Sequence, residues 1–79
     1  MYSIYLQLRG DLMRFNLKTA RRLKGLKPAD MASKLDISLS FYYKIEAGSR
    51  DPSLGLAFEI HDILGGDIRE LFENIDYSN

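Results

Sequence analysis

Between Leu26 and Arg50 the stretch LKPADMASKLDISLSFYYKIEAGSR carries the signals of two short helices joined by a tight turn. Met31, Ala32 and Leu35 fall at i, i+1 and i+4, one apolar stripe on a first helix. Pro28 sits at its first position, where a missing N–H costs nothing, whereas Lys27 ahead of it is a poor N-cap. Asp36, Ile37 and Ser38 make the turn, Ile37 plugging the space between the helices and Ser38 capping the second, which runs from Leu39 to Ala47. On that helix Tyr42 and Ile45 face inward, Leu39, Ser40, Phe41, Tyr43 and Lys44 face largely outward, and Gly48 supplies the C-terminal stop.

A chain of 79 residues supports one domain with one small core. With no Cys there is neither a disulfide framework nor a thiolate metal site, and the single His61 cannot build a metal site alone. No apolar run approaches the ~20 residues of a membrane span and no signal peptide opens the chain, so a soluble cytoplasmic protein is expected. The formal net charge of zero conceals a division: residues 1–50 hold ten Lys/Arg against four Asp/Glu, and residues 51–79 hold Arg69 against seven acids. The basic half contains the helix pair, as suits a face turned toward phosphates.

Residues 2–9 alternate, with Tyr2, Ile4, Leu6 and Leu8 on one side and Ser3, Tyr5, Gln7 and Arg9 on the other, the period of a half-buried strand. An N-terminal arm over residues 1–12 is therefore either a short appended strand or a tail, ahead of a helical domain over 13–79. A lone strand has no partner in water, so an ordered one would pair, for instance with its copy in a second subunit. Asn16 is a candidate N-cap for a helix ending near Lys24, with Leu17 and Ala20 inward, Lys18, Arg22 and Lys24 outward, and Gly25 closing it. After a loop over residues 49–52, Ser53 caps a fourth helix whose Leu54, Ala57, Ile60, His61 and Leu64 form an inward stripe ended by Gly65 and Gly66. His61 reads as a core-edge residue with one hydrogen bond. Asp67 and Glu70 mark a capping-box-like start to a fifth helix bearing Ile68, Leu71, Phe72 and Ile75. That stripe exceeds what a small core absorbs, which points to a dimer interface, with packing inside the monomer as the alternative.

These residues together resemble the Cro/cI-type helix-turn-helix regulators, also called the xenobiotic response element family. The match spans roughly residues 16–72 and rests on Leu26, Met31-Ala32, Lys34-Leu35, Ile37, Ser38, Ile45-Glu46-Ala47-Gly48 and Pro52-Ser53-Leu54, jointly specific and singly weak. The resemblance implies an all-α, lambda-repressor-like bundle of five helices, with the helix-turn-helix over about residues 28–47 and the third helix entering the DNA major groove. It also implies an ion pair between Arg21 and Glu46 that ties the first helix to the third. Several positions depart from the family pattern: Asp36 stands at the usual turn Gly, Pro28 and Ala47 stand where Gln and Asn often reach phosphates, His61 replaces a small residue, and Leu39, Phe41 and Tyr43 stand where polar residues are commoner.

No nucleophile stands beside a base at motif spacing, and there is no Gly-rich phosphate loop or carboxylate cluster, so no enzyme and no cofactor are expected. The leading expectation is a sequence-specific transcriptional regulator: a homodimeric repressor that binds double-stranded DNA at a palindromic operator and excludes polymerase sterically. Helix geometry assigns base edges to Ser38, Leu39, Ser40, Tyr43 and Lys44, with Lys44 donating to guanine, Ser40 bonding either way and Leu39 meeting a thymine methyl. Phosphates fall to Arg22, Lys27, the backbone beside Phe41, Ser49 and Arg50, with the start of the second helix offering N–H groups and Lys18 and Lys34 in reserve. The competing class is a protein-interaction module that uses Leu39, Phe41 and Tyr43 as an exposed apolar face.

Overall fold

The computed structural model describes residues 13–72, so the expected arm over residues 1–12 and Ile75 lie outside the described residues. Five helices follow in order: α1 Phe15–Leu23, α2 Pro28–Leu35, α3 Leu39–Ala47, α4 Leu54–Leu64 and α5 Ile68–Leu71. The all-α expectation holds, and among the described residues no helix is long and apolar enough to cross a membrane.

Three consecutive helices end in the same way. After α1 the amide of Leu26 reaches the Arg21 carbonyl, after α2 Ile37 reaches Ala32, and after α3 Ser49 reaches Lys44, each closing a six-residue ring around one left-handed residue. Those left-handed positions are Gly25, Asp36 and Gly48. Asp36, with φ 57°, is the one non-glycine with positive φ among the described residues, held there because the chain must reverse at once into the next helix. Ser38 then accepts the Phe41 amide at 3.0 Å and Ser53 the Leu56 amide at 3.1 Å, so both expected caps are in place. Asp67 caps α5 by accepting the Arg69 amide at 2.9 Å.

The core gathers Leu17 from α1, Met31, Ala32 and Leu35 from α2, Tyr42 and Ile45 from α3, Ala57, Ile60 and Leu64 from α4, and Leu71 and Phe72 at the end. Removing the Leu, Ile, Met and Phe side chains among these from water contributes about 1.5–3 kcal/mol each before chain entropy is charged against it. α2 packs on α3, and α1 is held between α3 and α5.

Three details differ from the sequence reading. α1 begins at Phe15, not after Asn16, because the Arg14 amide is already committed to the Glu46 carbonyl at 2.9 Å and fixes where the helix starts. Asn16 instead donates its side-chain amide to the Glu70 carbonyl at 3.1 Å, linking α1 to α5. Leu54 is exposed: it lies in the first turn of α4, and the buried Pro52 ahead of the cap occupies the edge of the core. Of the apolar stripe on α5, Leu71 and Phe72 are buried and Ile68 is partly so, which favours the packing alternative for these three residues. His61 sits at the core edge as expected, its Nε2 2.8 Å from the Gly66 carbonyl oxygen.

Candidate nucleic-acid interface

The nine residues of α3 divide cleanly. Tyr42, Ile45 and Glu46 are buried, whereas Leu39, Ser40, Tyr43, Lys44 and Ala47, at i, i+1, i+4, i+5 and i+8, form one exposed face. Four of the five expected base-reading residues therefore share a face that the core does not use, and Ser38 stands exposed at its N-terminal end. Leu39 is 39% exposed and Tyr43 53%.

Phe41 is on a different side. It is half-buried against the core, and its amide is taken by the Ser38 hydroxyl, so neither its ring nor its own N–H serves the exposed face. The reason is angular: Phe41 lies one residue before Tyr42 and four before Ile45, which places it at the margin of the buried stripe.

Two buried arginines hold α3 in place. Arg21 donates from Nε to Glu46 Oε2 at 2.7 Å and from Nη2 to Oε1 at 3.1 Å, and a third bond runs from Nη1 to the Leu26 carbonyl at 2.7 Å. One guanidinium thus joins α1, the link into α2 and α3. The hydrogen bonds that Arg21 donates to Glu46 raise its pKa above its already high range, with burial opposing. Burial first, and then the bond to Glu46, pushes the Tyr42 phenol far above the usual tyrosine range.

Arg14 is the second, and nothing in the sequence reading marked it. Only 2% exposed, it donates from Nη1 to the Ile45 carbonyl and, at 3.1 Å, to the Arg50 carbonyl, and from Nη2 to Asp51 Oδ1 at 2.6 Å. The signal available in sequence was slight: an arginine ahead of the first helix and an acid just past the third, 37 residues apart.

The basic residues fall into two groups. Lys18 and Arg22, one turn apart on α1, stand on a shallow groove whose other lining includes Pro28, Tyr43 and Ala47. Lys18, held in reserve in sequence, thus joins Arg22 beside the α3 face. In the loop that follows the C-terminus of α3, Ser49 and Arg50 are exposed, the Ser49 hydroxyl donating to the Lys44 carbonyl at 3.3 Å. Lys34 is exposed in the last turn of α2 and does not line the groove.

The start of α2 offers less to an anion than its position suggested. Pro28 has no N–H, the Asp30 carboxylate accepts the Lys27 amide at 2.8 Å, and the Asp30 amide bonds the Lys27 carbonyl at 2.9 Å. With an acid already using the positive end of the helix, the exposed Lys27 side chain is the cation this terminus presents.

The comparisons agree with this geometry. A family model described as helix-turn-helix matches residues 17–71. An uncharacterized HTH-type transcriptional regulator of Methanocaldococcus jannaschii is 42% identical over 60 residues, which cover 76% of this chain and 91% of that relative. No solved structure matches the chain. With five helices in order among the described residues, a turn through Asp36 and the Arg21–Glu46 pair behind an exposed α3 face, the chain belongs to the Cro/cI-type helix-turn-helix regulators.

Proposed function

We propose that this protein is a sequence-specific DNA-binding transcriptional regulator that acts as a homodimer, sets α3 into the major groove of each half of an inverted repeat, and represses by occupying DNA that polymerase needs. The observation that carries this reading is the exposed face of α3, free of core duties and flanked by cations from α1 and from the loop after α3. In this reading Lys44 donates to guanine O6 or N7, Ser40 and Ser38 bond base edges, Leu39 meets a thymine methyl, and the Tyr43 ring lies along the groove wall. Arg22, Lys18, Lys27, Ser49 and Arg50 take phosphates and set the register of the helix.

The test is a selection of bound duplexes from random sequence, followed by footprinting and salt titration. Each phosphate neutralised contributes a slope of about −0.9 in log affinity against log salt, so a dimer using these cations should exceed about −3. The selected site should be an inverted repeat with half-sites about 34 Å apart, one helical turn. Salt-independent binding, or a single asymmetric site occupied by a monomer, would contradict the reading.

A further inference from the structure

We propose that Arg14 is a positioning residue of this interface, acting through Arg50: its buried guanidinium fixes the loop after α3 so that the exposed Arg50 side chain is presented to a phosphate. The inference rests on the DNA-binding reading above and adds a residue to it.

The geometry is specific. The peptide of Arg50 is tied on both sides, its amide to the Lys44 carbonyl at 3.2 Å and its carbonyl to Arg14 Nη1 at 3.1 Å, while its side chain stays exposed. The same guanidinium bonds the Ile45 carbonyl in the last turn of α3, and the Arg14 amide bonds that of Glu46. One side chain therefore sets the loop against the helix it follows. A cation held by its own backbone loses less freedom on meeting a phosphate than one on a loose loop.

Packing alone does not account for an arginine here. A buried guanidinium gives up its hydration, and an apolar side chain of similar volume commonly fills such a site with equal or greater stability. What an apolar residue lacks is the planar fork that reaches two carbonyls and a carboxylate at once. Asp51, at 60% side-chain exposure, contributes little stability through the ion pair, but it has a second consequence. It lies next to Arg50 and would repel a phosphate there if Arg14 did not neutralise it.

The experiment uses the full chain and a duplex selected by it, with Arg14→Met, Arg14→Lys, Arg50→Ala and the double variant Arg14→Met/Arg50→Ala. Circular dichroism establishes that each is folded before binding is measured from low to physiological salt. Arg14→Met and Arg14→Lys should each reduce the salt slope by about 0.9 per subunit, one phosphate contact, with Lys failing because it keeps the charge without the fork. On the Arg50→Ala background, Arg14→Met should produce no further loss of slope. A wild-type slope in Arg14→Lys, or equal slope losses from Arg14→Met with and without Arg50, overturns the positioning role while leaving the DNA reading intact. Loss of the helical signal in both Arg14 variants also overturns it, making Arg14 a residue of the fold alone. Absence of salt-dependent binding by the wild-type chain removes the DNA reading, and this inference with it.

Discussion

Tyr42 and Glu46, one turn apart on α3, share a hydrogen bond of 2.7 Å from the phenol to Oε2, the same oxygen that Arg21 Nε approaches at 2.7 Å. The carboxylate thus accepts one bond along its own helix and two from α1. Removing it strands a guanidinium and a phenol in the core. Glu46→Ala should cost about 3–5 kcal/mol, the range for breaking a buried pair from one side. In a domain of this size that lowers Tm by more than about 12 °C, read by thermal circular dichroism. A loss under 1 kcal/mol would mean that water replaces the carboxylate without strain.

The same phenol predicts an alkaline limit to stability. Its pKa is raised in the folded chain above the ordinary 10.0, so the stability it contributes is complete below pH 10 and declines as pH rises beyond it, where the unfolded chain releases the proton and the folded chain keeps it. The decline should approach ~1.4 kcal/mol per pH unit from this group. Tyr42→Phe should be less stable at pH 7 by about 1–3 kcal/mol, through the Glu46 oxygen it leaves short of a donor, and should show a shallower fall above pH 10. Denaturant titrations of both proteins from pH 8 to 11 would settle the sign.

Lys44→Ala removes an amine from the exposed face without touching the core. Binding to the selected site should weaken by roughly 1–3 kcal/mol, with relaxed preference at one base pair per half-site. An unchanged base preference across single-base variants of the site would exclude Lys44 as a reader.

Phe41→Ala should behave in the opposite way. Its ring is half-buried against the core, so the fold should lose stability, though less than the ~3–5 kcal/mol of a fully buried phenylalanine. Base preference of the folded fraction should not change. If stability is unaffected and a protein partner is lost instead, the apolar surface beside α3 serves an interaction and not packing.

Asp36 tests the turn. Ala at this position enters the left-handed region less readily than Asp and should cost about 1 kcal/mol; Gly relieves the strain at some expense in chain entropy and should be neutral or stabilising. Urea midpoints that placed Gly below Ala would show that left-handed strain at this position does not limit stability.

What the sequence disclosed is what local chemistry fixes. The Ser38, Ser53 and Asp67 caps, the Gly48 stop and the inward Tyr42 and Ile45 each follow from a few adjacent residues, and all are found in place. The Arg21–Glu46 pair spans 25 residues and was legible only through the family resemblance. What stayed hidden depends on encounters that spacing does not encode. Arg14 breaks the rule that arginine stays outside, and it is buried because a carbonyl of α3, a carbonyl of the loop after it and the Asp51 carboxylate converge on it. Asn16 yields its expected cap to a backbone bond from Arg14, and Leu54 falls past the edge of what its neighbours can cover.

The division of α3 into an anchored side and an open side has a further meaning. Tyr42, Ile45 and Glu46 hold the helix, and Leu39, Ser40, Tyr43, Lys44 and Ala47 are bound by none of that packing. On the proposed reading, the helix is a mounting plate whose lettering can be replaced: a set of five side chains transplanted from another protein should fold on this scaffold and bring its own vocabulary of base pairs.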